Sequence, residues 1–219
     1  MSDLKKTVGA RNLDIICVGR AAVDLYGQQI GARLEDMGSF AKYLGGSSGN
    51  IAYGTARLGL RSAMLTRVGD EHMGRFVREE FDAAGVDTSH VITDSERLTG
   101  LVILGIKDRD TFPLIFYRND CADMALSKDD FTPTFIASSR SLLITGTHLS
   151  KPSTFQACMT AIDYAKDAGT KVVLDIDYRP VLWGLTGMGE GENRFVSDAN
   201  VSKHLQSVLP YLDLIVGTE

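Results

Sequence analysis

The stretch Leu13-Asp14-Ile15-Ile16-Cys17-Val18-Gly19-Arg20-Ala21-Ala22-Val23-Asp24 decides the fold. A short, nearly continuous apolar run ending in glycine reads as a strand buried on both faces, the condition of a parallel sheet covered by helices. The same rhythm continues downstream. Residues 48–58 read as a helix with Ser47 or Ser48 as its cap and Gly59 as its stop. Residues 61–68 follow as a strand. Asp70 then caps a helix through Ala84, whose Met73, Phe76, Val77, Phe81 and Ala84 share one face. Later come strand 141–145, helix 153–168 stopped by Gly169, strand 171–176, a helix around 198–208 and strand 212–216. Such alternation predicts an α/β fold, a doubly wound, mainly parallel sheet with helices on both faces. One segment departs from it. The β-rich runs 99–106 and 111–118 flank Lys107-Asp108-Arg109-Asp110, which predicts a hairpin in a separate small sheet.

Composition narrows the function classes. The chain has 219 residues, 44% hydrophobic and 23% charged, with 23 Lys+Arg against 28 Asp+Glu for a net charge of -5. These are globular values that exclude a disordered chain, a collagen-like repeat or a disulfide scaffold. The acidic balance argues against a nucleic-acid partner, which needs a basic face. No stretch approaches the roughly 18 apolar residues of a membrane span, and the opening MSDLKKTVGARNLD lacks a signal-peptide core. Cys17, Cys121 and Cys158 form no C-x-x-C pair and read as buried or stray thiols of a reducing compartment. The four histidines form no ligand cluster, so no zinc site is expected. The expected location is the cytoplasm.

In doubly wound sheets ligands bind beyond the carboxyl ends of the strands, so residues just after strands matter most. Asp24 follows the first strand, where a carboxylate could accept hydrogen bonds from neighbouring hydroxyls of a polyol, or simply cap a turn. Gly45-Gly46-Ser47-Ser48-Gly49-Asn50 opens a helix; its glycines and free N–H groups suit oxygen ligands, or an ordinary glycine turn. The same stretch contains G-x-S-x-G, which makes Ser47 a formal hydrolase nucleophile with Asp175 or Asp177 and then His204 as partners. Against that, only the weak strand FAKYL precedes it and no HGGG-type loop is present. Asp175-Ile176-Asp177-Tyr178-Arg179 ends another strand, and Arg179 with Arg118 could hold a carboxylate or phosphate. The glycines of GMGEGEN, residues 187–193, join no strand to a helix and read as a mobile loop. No P-loop and no G-x-G-x-x-G after the first strand occur.

Together Gly19…Asp24, the Gly-Gly…Asn element at 45–50, Gly59 and Gly69-Asp70…Gly74 resemble the ribokinase-like, or PfkB-type, carbohydrate kinases, from about Asp14 to the end of the chain. Ser48 departs from the family pattern, which usually has Gly, Ala or Pro there. Within the family, FYRNDCADMAL (116–126) and DIDYRPVLWG (175–184) look most like the kinases of 5-dehydro-2-deoxygluconate, an intermediate of myo-inositol breakdown, with those of 2-keto-3-deoxygluconate close by.

The resemblance implies phosphoryl transfer from ATP with Mg2+ to the primary hydroxyl of a six-carbon keto sugar acid. It further implies that Asp24, Gly45, Gly46 and Asn50 bind hydroxyls, that Arg118 and Arg179 hold the acid end, and that Glu219 borders the nucleotide and Mg2+ side. The small sheet, from segments at about 24–44 and 97–120, would be a β lid that also makes a homodimer contact. The family's catalytic base is the aspartate of a G-A-G-D motif, and no G-x-G-D occurs here. Residues 1–219 are therefore expected to be one kinase domain lacking its C-terminal part and inactive alone. A non-catalytic sugar-binding module is the alternative from another class.

Overall fold

The computed structural model describes residues 11–217. Strands β1 (Leu13–Val18), β4 (Ser62–Gly69), β5 (Asp87–Asp94), β8 (Ser139–Thr145), β9 (Lys171–Asp175) and β10 (Leu214–Val216) form a six-stranded sheet in the order β10-β9-β8-β1-β4-β5. Every pairing in it is parallel. Strands β2 (Ala22–Gly27), β3 (Phe40–Gly45), β6 (Gly100–Leu104) and β7 (Leu114–Tyr117) form a second sheet in the order β3-β2-β6-β7. There β6 and β7 pair antiparallel as the expected hairpin, and β2 joins β6 in parallel.

From β5 to β9 the sheet is covered on both faces and its side chains alternate between two cores, while β10 at the other edge is exposed. Ile15 and Cys17 of β1, Met64 of β4 and Leu143 of β8 pack with Ala52 of helix α1 (Ser47–Arg57) and Val77 and Phe81 of helix α2 (His72–Ala84). Their neighbours Ile16, Val18, Leu65, Leu142 and Ile144 pack on the other side. There they meet Ile136 of helix α3 (Pro133–Ala137) and Cys158, Ala161 and Ile162 of helix α4 (Pro152–Ala168). Helix α5 (Ala199–Gln206) adds Leu205 to that second core. The period of two in strands facing helices on both sides explains the continuous apolar runs in the sequence. All three cysteines are free and buried.

Local details correct several expectations. Asp24 lies inside a strand, because the chain leaves β1 and enters β2 after only Gly19, Arg20 and Ala21. Neither serine caps α1. Gly46 is the N-cap, with no side-chain bond to the helix, and Ser47 and Ser48 are helical. The buried Ser48 hydroxyl instead donates to the Val18 carbonyl at 2.9 Å and lies 3.2 Å from Thr145 Oγ1, tying α1 to β1 and β8. Helix α2 is capped by Glu71 rather than Asp70. The longer side chain reaches back to accept from Met73 N at 2.5 Å and Gly74 N at 3.0 Å, while Asp70 is exposed. Strand β5 escapes the sequence reading because an edge strand needs only one or two buried positions, here Val91 and Asp94.

Ser48→Ala should cost about 0.5–1.5 kcal/mol in urea denaturation, the usual net worth of one hydrogen bond. No loss would mean that α1 is held to the sheet by apolar contact alone.

Candidate functional site

Strands β1, β8 and β9 lie side by side, and their carboxyl ends open toward the N-terminus of α1. Each exit contributes a polar side chain to one network. Arg20, after β1, donates from Nη2 to Asp177 Oδ2 at 2.7 Å and from Nε to Thr147 Oγ1 at 3.2 Å. Thr147, after β8, donates to the same Asp177 oxygen at 3.3 Å. Arg20 also reaches Ser47 Oγ at 3.3 Å, and Arg179 Nη2 lies 3.1 Å from Asp177 Oδ1.

The Arg20 and Asp177 side chains are only 6% and 5% exposed, so this pair is a buried one. Burial by itself would raise the Asp177 pKa, but the Arg20 and Arg179 guanidiniums outweigh it and hold the carboxyl below its ordinary value. Asp177 has φ of +30°, in the left-handed region that non-glycine residues seldom occupy. Its carboxylate is therefore a fixed part of the site, built against backbone preference.

Beside this network is a cavity of about 630 Å³, a small-molecule size. Arg20, Ser47 and Arg179 line it together with Asp24, Gly46 and Asn50. Val102, Leu104 and Phe116 of the second sheet supply an apolar wall, and Glu192, Arg194 and Phe195 complete it from the loop before α5. Asp24 projects from β2 into the space that a Gly45 side chain would occupy, so Gly45 serves the site by having none. Among the described residues the Asp24 carboxylate accepts no hydrogen bond. Burial raises its pKa, against the opposing pull of Arg20 and Arg118. Gly46 adopts φ of +89°, and a Cβ there would lie 2.5 Å from the Arg20 carbonyl, so only glycine lets α1 start this close to the β1 exit.

Asp24, Gly46, Asn50 and Arg179 thus converge on one cavity, with Gly45 directly behind Asp24. Arg118 does not line it. The chain turns inward after β7, and the fully buried Arg118 guanidinium pairs with the fully buried Asp123 carboxylate. The Asp123 carbonyl lies 3.0 Å from His148 Nε2. Arg118 is thus paired with a buried acid rather than lining this cavity, and its Nε and Nη1 are buried without a hydrogen-bond partner. Glu219 lies outside the described residues.

Arg20, Asp177 and Arg194 are site residues that the sequence did not assign to the sugar cavity. Arg20 and Asp177 carried a signal, as charged residues just after apolar strands, and Asp177 entered only as a candidate triad partner; Arg194 carried none. The hydrolase triad does not assemble either. His204 Nε2 lies 3.1 Å from the Leu149 carbonyl and its ring packs beside Phe155 and Trp183, away from Ser47. Among the described residues no group of three or more His, Cys, Asp or Glu could hold a metal ion, and no helix is long and apolar enough to cross a membrane.

Asp177→Asn should cost about 3–5 kcal/mol at pH 7, because Arg20 then stays buried without its counter-ion. An acid whose native pKa is lowered adds stability above its unfolded pKa of about 3.9 and loses it as pH falls through the lowered native value. The gap between wild type and variant in urea melts should therefore close in acid. A gap that persists at acid pH would assign the loss to packing.

Comparison with known proteins places this geometry. The pfkB family carbohydrate kinase pattern matches residues 12–188. The chain is 44% identical over 172 residues to the 5-dehydro-2-deoxygluconokinase of Geobacillus kaustophilus (strain HTA426), covering 78% of this chain and 51% of that protein. It is 36% identical over 171 residues to the 5-dehydro-2-deoxygluconokinase of Bacillus subtilis (strain 168), covering 78% and 53%. The chain thus spans about half the length of these curated relatives. The solved PfkB protein from Polaromonas sp. JS666 matches with a TM-score of 0.81 at 28% identity, over 93% of this chain and 65% of that one. With the ribokinase-like sheet and these relatives in agreement, the chain belongs to the pfkB family of carbohydrate kinases.

Proposed function

We propose that the chain forms the sugar-binding half of an ATP-dependent kinase that phosphorylates the primary hydroxyl of a six-carbon keto sugar acid, 5-dehydro-2-deoxygluconate before 2-keto-3-deoxygluconate. The observation that carries this reading is a single cavity holding both a carboxylate free of internal hydrogen bonds, Asp24, and a guanidinium, Arg179. The first suits sugar hydroxyls and the second an acid group. The named activity of the relatives supports the same substrate class.

Asp24 and Asn50 orient the polyol, and the Gly46 backbone allows it close to the start of α1. Arg179 fixes the acid end, while Val102, Leu104 and Phe116 shield the bound sugar from water. The second sheet acts as a lid over the sugar, and its exposed Tyr43 and Tyr117 suit a contact with a second copy. MgATP supplies the phosphoryl group and the cation that neutralises its charge. No described residue is assigned as the base or as a ligand for Mg2+. Residues 1–219 alone are accordingly proposed to bind the sugar acid without turning it over.

Titration calorimetry tests this directly. The chain should bind 5-dehydro-2-deoxygluconate and bind fructose far more weakly; equal affinities would favour a neutral-sugar kinase, and turnover by residues 1–219 would place a base within them. Asp24→Asn should weaken sugar binding about tenfold or more, the worth of charge-assisted hydrogen bonds. Its Tm should be unchanged or higher. A raised native pKa means that the ionised side chain costs stability at neutral pH, a cost the variant removes. A variant that binds normally would take Asp24 out of the site.

A further inference from the structure

The glycine-rich loop before α5 is tied down along the site. Phe116 N donates to the Met188 carbonyl at 3.0 Å and Gly191 N to the Leu114 carbonyl at 3.1 Å, so the loop runs along the free edge of β7. Further on, the Tyr178 hydroxyl donates to the Val196 carbonyl at 2.5 Å. Within the loop, Gly187 N donates to Glu190 Oε2 at 2.8 Å. Arg194 sits between the pins at 191 and 196 and lines the cavity together with Arg179. Read from the sequence as a mobile loop, the segment is hydrogen-bonded along β7 and brings Arg194 to the cavity.

The guanidiniums at this end are not all paired. Arg20 and Arg179 share one carboxylate, Asp177. Arg194 adds a third guanidinium, and among the described residues it makes neither an ion pair nor a hydrogen bond. Glu192 also lines the cavity but forms no ion pair with it. Partial burial and then the nearby Arg179 charge lower the Arg194 pKa, with Asp177 offsetting only part of that. Two guanidiniums near one another repel until an anion comes between them. A carboxylate is suited to that place, since its two oxygens can each accept from a planar guanidinium.

We propose that Arg194 is a specificity residue that, together with Arg179, binds the substrate carboxylate and makes the site prefer a sugar acid over a neutral sugar. This rests on the keto sugar acid reading above and adds a residue that neither composition nor motif spacing indicated.

The test is calorimetry of the 219-residue chain with 5-dehydro-2-deoxygluconate and with its methyl ester, which keeps the hydroxyls and loses the charge. Arg194→Gln should weaken binding of the acid by about tenfold and change binding of the ester by less than twofold. Arg194→Lys, which keeps the charge without the fork, should recover part of the loss. Equal affinity of wild type and Arg194→Gln for the acid overturns the assignment. So does an equal loss for acid and ester, which would mark Arg194 as shaping the pocket rather than reading charge. Wild-type chain that binds the ester as tightly as the acid overturns the keto sugar acid reading itself, and the role of Arg194 with it. Thermal melts of each variant separate a binding defect from unfolding, and Arg194→Lys carries the comparison if Arg194→Gln does not fold.

Discussion

The buried bond between Arg20 and Asp177, bridged by Thr147, is the constraint on which the site depends. It joins the exits of three adjacent strands, β1, β8 and β9, at the place where the sheet order reverses direction. From β1 the chain builds outward to β4 and β5 on one side, then returns to lay down β8, β9 and β10 on the other. Loops leaving a sheet at such a point diverge and open a crevice. A crevice made of free loops would hold no fixed charges. Here the loops are cross-linked, at the cost of desolvating two ions and of holding Asp177 in left-handed backbone conformation. Arg179 then hangs from the same carboxylate, so the cavity-facing guanidinium inherits the rigidity of the cross-link.

Asp24, which lines the cavity, and Asp177, in the network beside it, have opposite fates, set by their surroundings. Asp177 is consumed by two arginines and drawn below its ordinary pKa. Asp24 is largely buried, carries no internal hydrogen bond among the described residues, and is pushed above its ordinary pKa. A group in the second condition gains from a ligand that brings hydroxyl donors; one in the first gains little. Environment rather than residue type therefore separates the structural acid from the one free for a ligand. The same logic divides the arginines. Arg118 is committed to Asp123 in the interior, whereas Arg194 is committed to nothing within the described residues.

Much of the fold was legible in the sequence because β1, β8 and β9 are buried on both faces and carry apolar runs that say so. Strands β2 and β5 were not, since each mixes polar and apolar residues: β2 carries Asp24 through its centre, and β5 is an edge. Gly46 and Asn50 could be picked out at a helix start and Arg179 after a strand, while Asp24 was picked out for following β1 closely although it lies within β2. Arg20 and Asp177 could not be paired, because 157 positions separate them and only the sheet order brings them together. Arg118 looked like a ligand residue because sequence does not reveal that Asp123, five positions on, turns back to meet it. GMGEGEN looked mobile because glycine content is visible, while the free edge of β7 that receives it is a tertiary fact.

On the function proposed above, one cavity at the strand exits orients a sugar acid by its two ends. Because the chain spans about half the length of the curated relatives it matches, binding is a more direct test than turnover. The decisive measurement is a crystal structure of the chain with 5-dehydro-2-deoxygluconate. Sugar hydroxyls should lie within hydrogen-bond distance of Asp24 and the carboxylate between Arg179 and Arg194. A ligand lying in the reverse orientation, or outside the cavity altogether, would contradict it.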